Sequence, residues 1–167
     1  DLVSGWNVRF DVDYVCDRSR SVREKFSAVR NQPCERRRDH FEVPGRIVAD
    51  LLQLWKGRYR ERSYKLDAVA EKHLRAAKAP VKYSEMRALQ QTPSGRARMG
   101  TYCVKDTHLV LRLADRMDAW QGLLQLAKAC RLLPQQVLDR GQQAKVLSLL
   151  SAKCRHFTPR HAIPNQP

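Results

Sequence analysis

Acidic side chains are in short supply in this sequence. Seventeen Asp and Glu stand against 32 Lys and Arg, for a net charge of +15 and a pI near 10.2. Such an excess concentrates polyanions around a chain and makes nucleic acid the first partner to consider. An acidic protein or membrane headgroups are the alternatives. The basic residues are spread along the whole chain instead of gathered in one tail, which favours nucleic acid. Long apolar runs are missing as well, so no segment approaches the length that spans a bilayer. No signal peptide is visible, because the chain opens Asp-Leu-Val-Ser without a basic leader. It also opens without Met and enters a strand-like segment at once, so it is expected to start inside a larger protein. CxxC pairs are lacking: the five cysteines, Cys16, Cys34, Cys103, Cys130 and Cys154, are odd in number and scattered. That argues against a zinc knuckle or a disulfide framework and for reduced, packed thiols in a cytosolic or nuclear protein. Internal repeats are absent too.

What is present suffices for a folded domain. The 167 residues are 43% hydrophobic, and a chain of this size buries roughly 70% of its unfolded surface. Leu2–Trp6 reads as a short buried strand ending at Gly5, followed by a turn over Asn7–Asp11. Val12–Val29 reads as a helix with Val15, Phe26 and Val29 apolar. Asn31–Asp39, with Pro33 and the solvated run Arg36–Arg38, reads as a loop. Phe41–Val43 and Gly45–Ala49 carry strand character, and Asp50–Lys56 turns helical. Ser63 is expected to cap a helix over Tyr64–Ala76, with Leu66, Val69, Ala70, His73 and Leu74 on one face. Ser84 is expected to cap Glu85–Gln91. After a turn at Pro93–Gly95, a long helix over Arg96–Arg131 bends near Gly122. Its expected stripe is Val104, Leu109, Leu111, Leu113, Met117, Leu123, Leu124, Leu126 and Ala127. Pro134 opens a short helix ending before Gly141, and Gln142–Cys154 forms the last, with Val146, Leu147, Leu149 and Leu150 inward. The tail Phe157–Pro167 has no periodicity. Helices dominate and strands are few and early, the pattern of part of an α/β domain.

Two carboxylates stand out by context. Asp11 closes the segment GWNVRFD, and Asp106 closes TYCVKD. On a helix, Tyr102 and Asp106 lie i, i+4 and share a face. A carboxylate beside a phenol suits metal-assisted hydrolysis: the carboxylate holds Mg²⁺ or Mn²⁺ and the phenol orients a water. Taken alone, YxxxD reads more simply as a surface carboxylate and a half-buried aromatic. Asp13 and Asp17 form another i, i+4 pair, more simply read as helix-surface charges. His108 points away from the Asp106 face, and Lys105 and Arg112 read as solvated. Trp55, Tyr59 and Tyr64 interleave with Lys56, Arg58, Arg60, Arg62 and Lys65. That composition fits a strand-binding surface and equally an amphipathic edge under snorkelling cations.

Five collinear segments resemble family B DNA polymerases of the eukaryotic delta and herpesvirus type. They are GWNVRFDVDYV (Gly5–Val15), PGRIVADLLQLW (Pro44–Trp55), RSYKLDAVAEKHL (Arg62–Leu74), YCVKDTHLVLRLADRM (Tyr102–Met117) and DRGQQAKVLSLL (Asp139–Leu150). The resemblance implies a partial ribonuclease-H-like 3′→5′ exonuclease domain of α/β class over residues 1–131. Residues 132–167 would be connecting helices leading toward the polymerase domain. It implies that Asn7 and Phe10 meet the single-stranded 3′ end of DNA, that Asp11 and Asp106 hold metal, and that Tyr102 positions the water. Two Mg²⁺ or Mn²⁺ ions, primer-template DNA, the rest of the polymerase chain, accessory subunits and a nuclear location (host nucleus or cytoplasm for a viral parent) follow from it. Only Val8 and Arg9 separate Asn7 from Phe10, one residue fewer than the family pattern, and a shorter turn re-aims Asn7 or Asp11. The family's first exonuclease motif, Asp-x-Glu, is absent, and so are its polymerase motifs. With two of four expected carboxylates, the isolated chain is expected to be a poor nuclease. The rival readings are a non-catalytic basic nucleic-acid-binding or scaffold domain, and a module that docks accessory subunits.

Overall fold

The computed structural model describes residues 2–18, 20–36, 41–76, 81 and 83–154. Strand β1 (Leu2–Gly5) runs into helix α1 (Val8–Arg18), followed by α2 (Arg20–Phe26). Two short strands, β2 (Glu35–Arg36) and β3 (Phe41–Glu42), pair antiparallel. Strand β4 (Ile47–Asp50) then lies parallel to β1, with Leu2 opposite Ile47 and Gly5 opposite Asp50. Helices α3 (Leu51–Arg58), α4 (Leu66–Leu74), α5 (Tyr83–Leu89) and α6 (Pro93–Arg116) follow. These elements belong to one compact unit, residues 1–119, and a second unit spans 120–167. The described part is mostly helical around a short parallel pair of strands, in keeping with the expected early strands and later helices. Among the described residues no helix is long and apolar enough to cross a membrane.

The inner face of α1 builds the first core. Val8, Val12 and Cys16, at i, i+4 and i+8, pack with Cys34 and Val43, and Val3, Phe26 and Val48 close around them. Cys16 and Cys34 are side by side, and burial, then the neighbouring Cys34, pushes the Cys16 thiol up to about 11. A thiol so far from ionisation is a packing group, not a nucleophile. All five cysteines are free; Cys103 and Cys154 are exposed.

The second core centres on Trp55, which is fully buried. Its ring meets Tyr59 at 4.5 Å, His73 edge-on at 4.9 Å and Trp6 at 6.1 Å between centroids. Trp6 donates its indole N–H to the Tyr64 carbonyl at 3.0 Å, tying the end of β1 to the segment before α4. Glu61 accepts from Lys72 Nζ at 2.6 Å and pairs with His73 Nε2 at 2.7 Å. These two partners, Lys72 first, hold its carboxyl below the usual range. Lys56 lies over the Tyr64 ring and Arg58 over Tyr59. The aromatic-basic stretch is therefore an amphipathic edge under snorkelling cations, and Trp55 has no face left for a base.

Several expected boundaries move. The helix expected over 12–29 starts at Val8 and is split into α1 and α2. It stops at Phe26 because the Ser27 hydroxyl captures the Val29 N–H at 3.1 Å and Ala28 donates to the Pro44 carbonyl. Val15 and Val29 are consequently exposed, Phe26 is half-buried, and β1 is half-buried instead of buried. Ser63 and Ser84 do not cap: α4 begins after Lys65, and Ser84 lies inside α5. Pro93–Gly95 is the first turn of α6, not a turn before it. Thr92 caps it by accepting from Gly95 N at 3.1 Å, and Pro93 suits the first helical position. The long helix breaks at Asp118, held left-handed at φ 50°, and Gly122 sits inside α7 (Ala119–Cys130). Residues 37 and 38 of the arginine run, and the tail, lie outside the described residues; Arg36 falls in β2.

The second unit holds most of α7, then α8 (Pro134–Asp139) and α9 (Gln142–Cys154), the last two where the sequence placed them. Leu123, Ala127, Cys130 and Val137 are buried. Val146, Leu149 and Leu150 were expected inward, yet all are exposed, as are Val104 and Leu111 on α6 and Leu124 and Leu126 on α7. Apolar identity alone overstates the width of each buried stripe, since only one arc of each helix meets a neighbour.

Trp55→Ala removes the centre of the second core and is expected to cost about 3–5 kcal/mol. Urea unfolding of the two proteins measures it. A loss below about 1 kcal/mol would show that the aromatic cluster lies outside the cooperative core.

Candidate active site

The site begins where β1 and β4 end side by side. Parallel pairing sets Gly5 opposite Asp50, so both chains leave the sheet at one edge. Asn7 turns the chain from β1 into α1 in the left-handed region, at φ 68°. Asparagine tolerates that conformation better than most residues. Its carbonyl accepts from Phe10 N at 3.1 Å, and its own N–H donates to Asp50 Oδ1 at 3.1 Å. Asp11 therefore stands in the first turn of α1 instead of in a turn before a helix. This corrects the expected placement: α1 starts directly after a left-handed Asn7. Phe10 is 68% exposed, and Asp11 is exposed.

Asp50 was read only as the first residue of a helix. It is the N-cap of α3, and its Oδ1 also accepts from Leu52 N at 2.9 Å. Burial first, and the Asp50 charge second, raise the Asp11 carboxyl above its ordinary range. Two carboxylates close enough to repel are stabilised by a cation between or beside them. The signal available in sequence was an Asp directly before an apolar helical run. Its pairing with Asn7 depends on the β1–β4 register, which no local pattern encodes.

Tyr102 and Asp106 sit one turn apart on α6, Tyr102 buried at 8% exposure and Asp106 half-buried. His108, Lys105 and Arg112 are exposed. Asp13 and Asp17 engage Arg9 at 3.9 Å and Arg23 at 3.3 Å, as helix-surface charges do. The predicted residues thus form two groups, one at the β1–α1 junction and one on α6. Among the described residues, no group of three or more His, Cys, Asp or Glu is arranged to hold a metal ion. The oxygen donors present, carboxylates and a phenol, nevertheless suit Mg²⁺ or Mn²⁺ by type.

Residues 1–69 match the family described as DNA polymerase family B, exonuclease domain. The chain is 30% identical to the DNA polymerase delta catalytic subunit of Caenorhabditis elegans over 93% of this chain and 16% of that protein. It is 31% identical to that of Schizosaccharomyces pombe over 92% of this chain and 16% of that protein. To the DNA polymerase catalytic subunit of Epstein-Barr virus it is 33% identical over 91% of this chain and 17% of the viral protein. The chain thus spans about a sixth of the length of these relatives. The resemblance to family B DNA polymerases of the delta and herpesvirus type, first read from five motifs, is borne out.

The raised Asp11 carboxyl makes a pH prediction. Folding favours its protonated form, a contribution present below the ordinary carboxylate pKa and lost as pH rises through the raised folded value. The helix N-terminus favours the charged form and opposes this in part. Asp11→Asn is therefore expected to gain in relative thermal stability as pH climbs from 3 to 7, by a small amount because solvent screens an exposed group. A melting temperature of Asp11→Asn minus that of the unmutated protein that falls or stays flat over that range would contradict it.

Proposed function

We propose that this chain, similar along nearly its whole length to family B DNA polymerases, contributes the 3′→5′ proofreading exonuclease region of such an enzyme. The observation that carries the reading is the exonuclease-domain match over residues 1–69, which encloses the junction where Asn7 bonds Asp50 and where Phe10 and Asp11 open α1. The domain is proposed to be ribonuclease-H-like over residues 1–131, with 132–167 as helices leading toward the polymerase domain. Its substrate is a single-stranded 3′ end of DNA, its partners are the remaining polymerase chain and accessory subunits, and its location is the nucleus.

The chemistry is hydrolysis of the terminal phosphodiester. Water attacks phosphorus, the 3′ oxygen of the preceding nucleotide leaves with a proton, and a nucleoside 5′-monophosphate departs. Mg²⁺ or Mn²⁺, when bound, lowers the pKa of the attacking water and offsets charge on the leaving oxygen. Asn7 and the exposed Phe10 ring hold the frayed end, the ring by stacking. Asp11 and Asp106 supply the carboxylates, and Tyr102 orients the water through its hydroxyl. The family's Asp-x-Glu motif is not in this sequence, so the two carboxylates are proposed to work with residues of a longer chain.

The test is Mn²⁺-dependent degradation of 3′-labelled single-stranded DNA by the full-length polymerase that carries this segment. Asp106→Ala is expected to cut the rate roughly 100-fold or more, because metal stabilisation of the transition state is worth several kcal/mol. Retained DNA binding with no degradation by the unmutated protein would favour the second reading, a non-catalytic nucleic-acid-binding scaffold. That reading rests on the +15 charge.

A further inference from the structure

At the junction, the Asp50 side chain joins two stretches of chain through a single atom. Its Oδ1 accepts from Leu52 N at 2.9 Å, the ordinary bond of a helix N-cap. The same Oδ1 accepts from Asn7 N at 3.1 Å, 43 residues away in sequence. Helix capping explains the first bond and leaves the second unexplained. Asn7 stands at φ 68°, a region uncommon for non-glycine residues although asparagine enters it more readily than most. The β1–β4 register puts Gly5 opposite Asp50, so two residues past β1 the chain comes within reach of a carboxylate at the end of β4. With only Val8 and Arg9 between Asn7 and Phe10, whatever fixes Asn7 also fixes the azimuth at which α1 presents Phe10 and Asp11.

We propose that Asp50 is the positioning residue of the exonuclease site, anchoring the left-handed Asn7 by its backbone N–H so that Asn7, Phe10 and Asp11 face one DNA end. The proposal rests on the exonuclease reading for the ligand and on the Asn7–Asp50 bond for the anchor. Asp50 need not touch substrate or metal. Its charge also acts on the Asp11 carboxyl, which agrees with a carboxylate held close to the site. Oxygen acceptance, not charge, is the property the anchor requires.

Three substitutions separate anchor from cap. Asp50→Asn keeps an Oδ1 acceptor in place. Asp50→Ser keeps a capping hydroxyl for Leu52 but is too short to serve Asn7 as well. Asp50→Ala removes both. Hydrogen–deuterium exchange on the full-length protein is expected to show faster exchange at Asn7 in Asp50→Ser, with Leu52 still protected and melting temperature little changed. KM for a single-stranded 3′ end should rise about tenfold, the loss of one hydrogen bond, with a smaller change in kcat, and Asp50→Asn should restore it. If the unmutated polymerase does not degrade DNA, the functional proposal fails; the exchange result and the dissociation constant for single-stranded DNA, in place of KM, then decide the anchor. Unchanged Asn7 exchange or unchanged KM (or dissociation constant) in Asp50→Ser overturns the proposal and leaves Asp50 a helix cap. Failure of Asp50→Asn to restore binding overturns it as well.

Discussion

The parallel pairing of β1 with β4 is the constraint on which the first unit depends. A two-stranded pair is marginal in water without apolar cover, and the cover comes from both sides of the sequence. The α1 face of Val8, Val12 and Cys16 packs with Val3 and Val48, while Leu51 and Trp55 of α3 are fully buried. Ser4 Oγ donates to the Ala49 carbonyl at 2.9 Å, adding a side-chain bond across the same pair. Because the strands end together, the turn into α1 and the start of α3 are neighbours. Every candidate residue of the β1–α1 junction inherits its place from that coincidence.

Legibility in the sequence follows from how local each determinant is. The bounds of α8 and α9 were readable because Pro134 opens one and Gly141 separates them. The helical i, i+4 relation of Tyr102 and Asp106 was readable for the same reason, since α6 needs only its own residues to set it. The start of α1 was not. An Asn in the left-handed region looks like a turn residue from sequence, and it serves here as a direct entry to a helix because Asp50, 43 positions on, accepts its N–H. The break between α6 and α7 misled in the opposite sense. Gly122 carries the stronger breaker signal, yet its surroundings are open and it stays helical, while Asp118 takes the left-handed position. The exposed leucines and valine of α9 show the remaining limit: an apolar stripe is legible, but which arc of it finds a partner is a tertiary fact.

The aromatic-basic stretch shows how exposure decides between two readings that composition cannot separate. Lys56 and Arg58 over Tyr64 and Tyr59 could be mistaken for a stacking platform. Trp55 is fully buried with Trp6, Tyr59 and His73 against its ring, and Glu61 ties the loop before α4 to Lys72 and His73. The stretch consolidates the core that carries β1 and α3. The rings left open to solvent on α1, the helix that also carries Asp11, are Phe10 and Tyr14, 68% and 57% exposed.

Charge completes the argument. A chain of net charge +15 attracts a polyanion at long range, and that attraction carries no information about position along it. The carboxylates at the β1–α1 junction provide the local exception. Burial first, and the neighbouring Asp50 charge second, raise the Asp11 carboxyl within a strongly basic chain. Basicity is spread along the chain, and the junction that brings Asp11 near Asp50 is a local acidic exception to it.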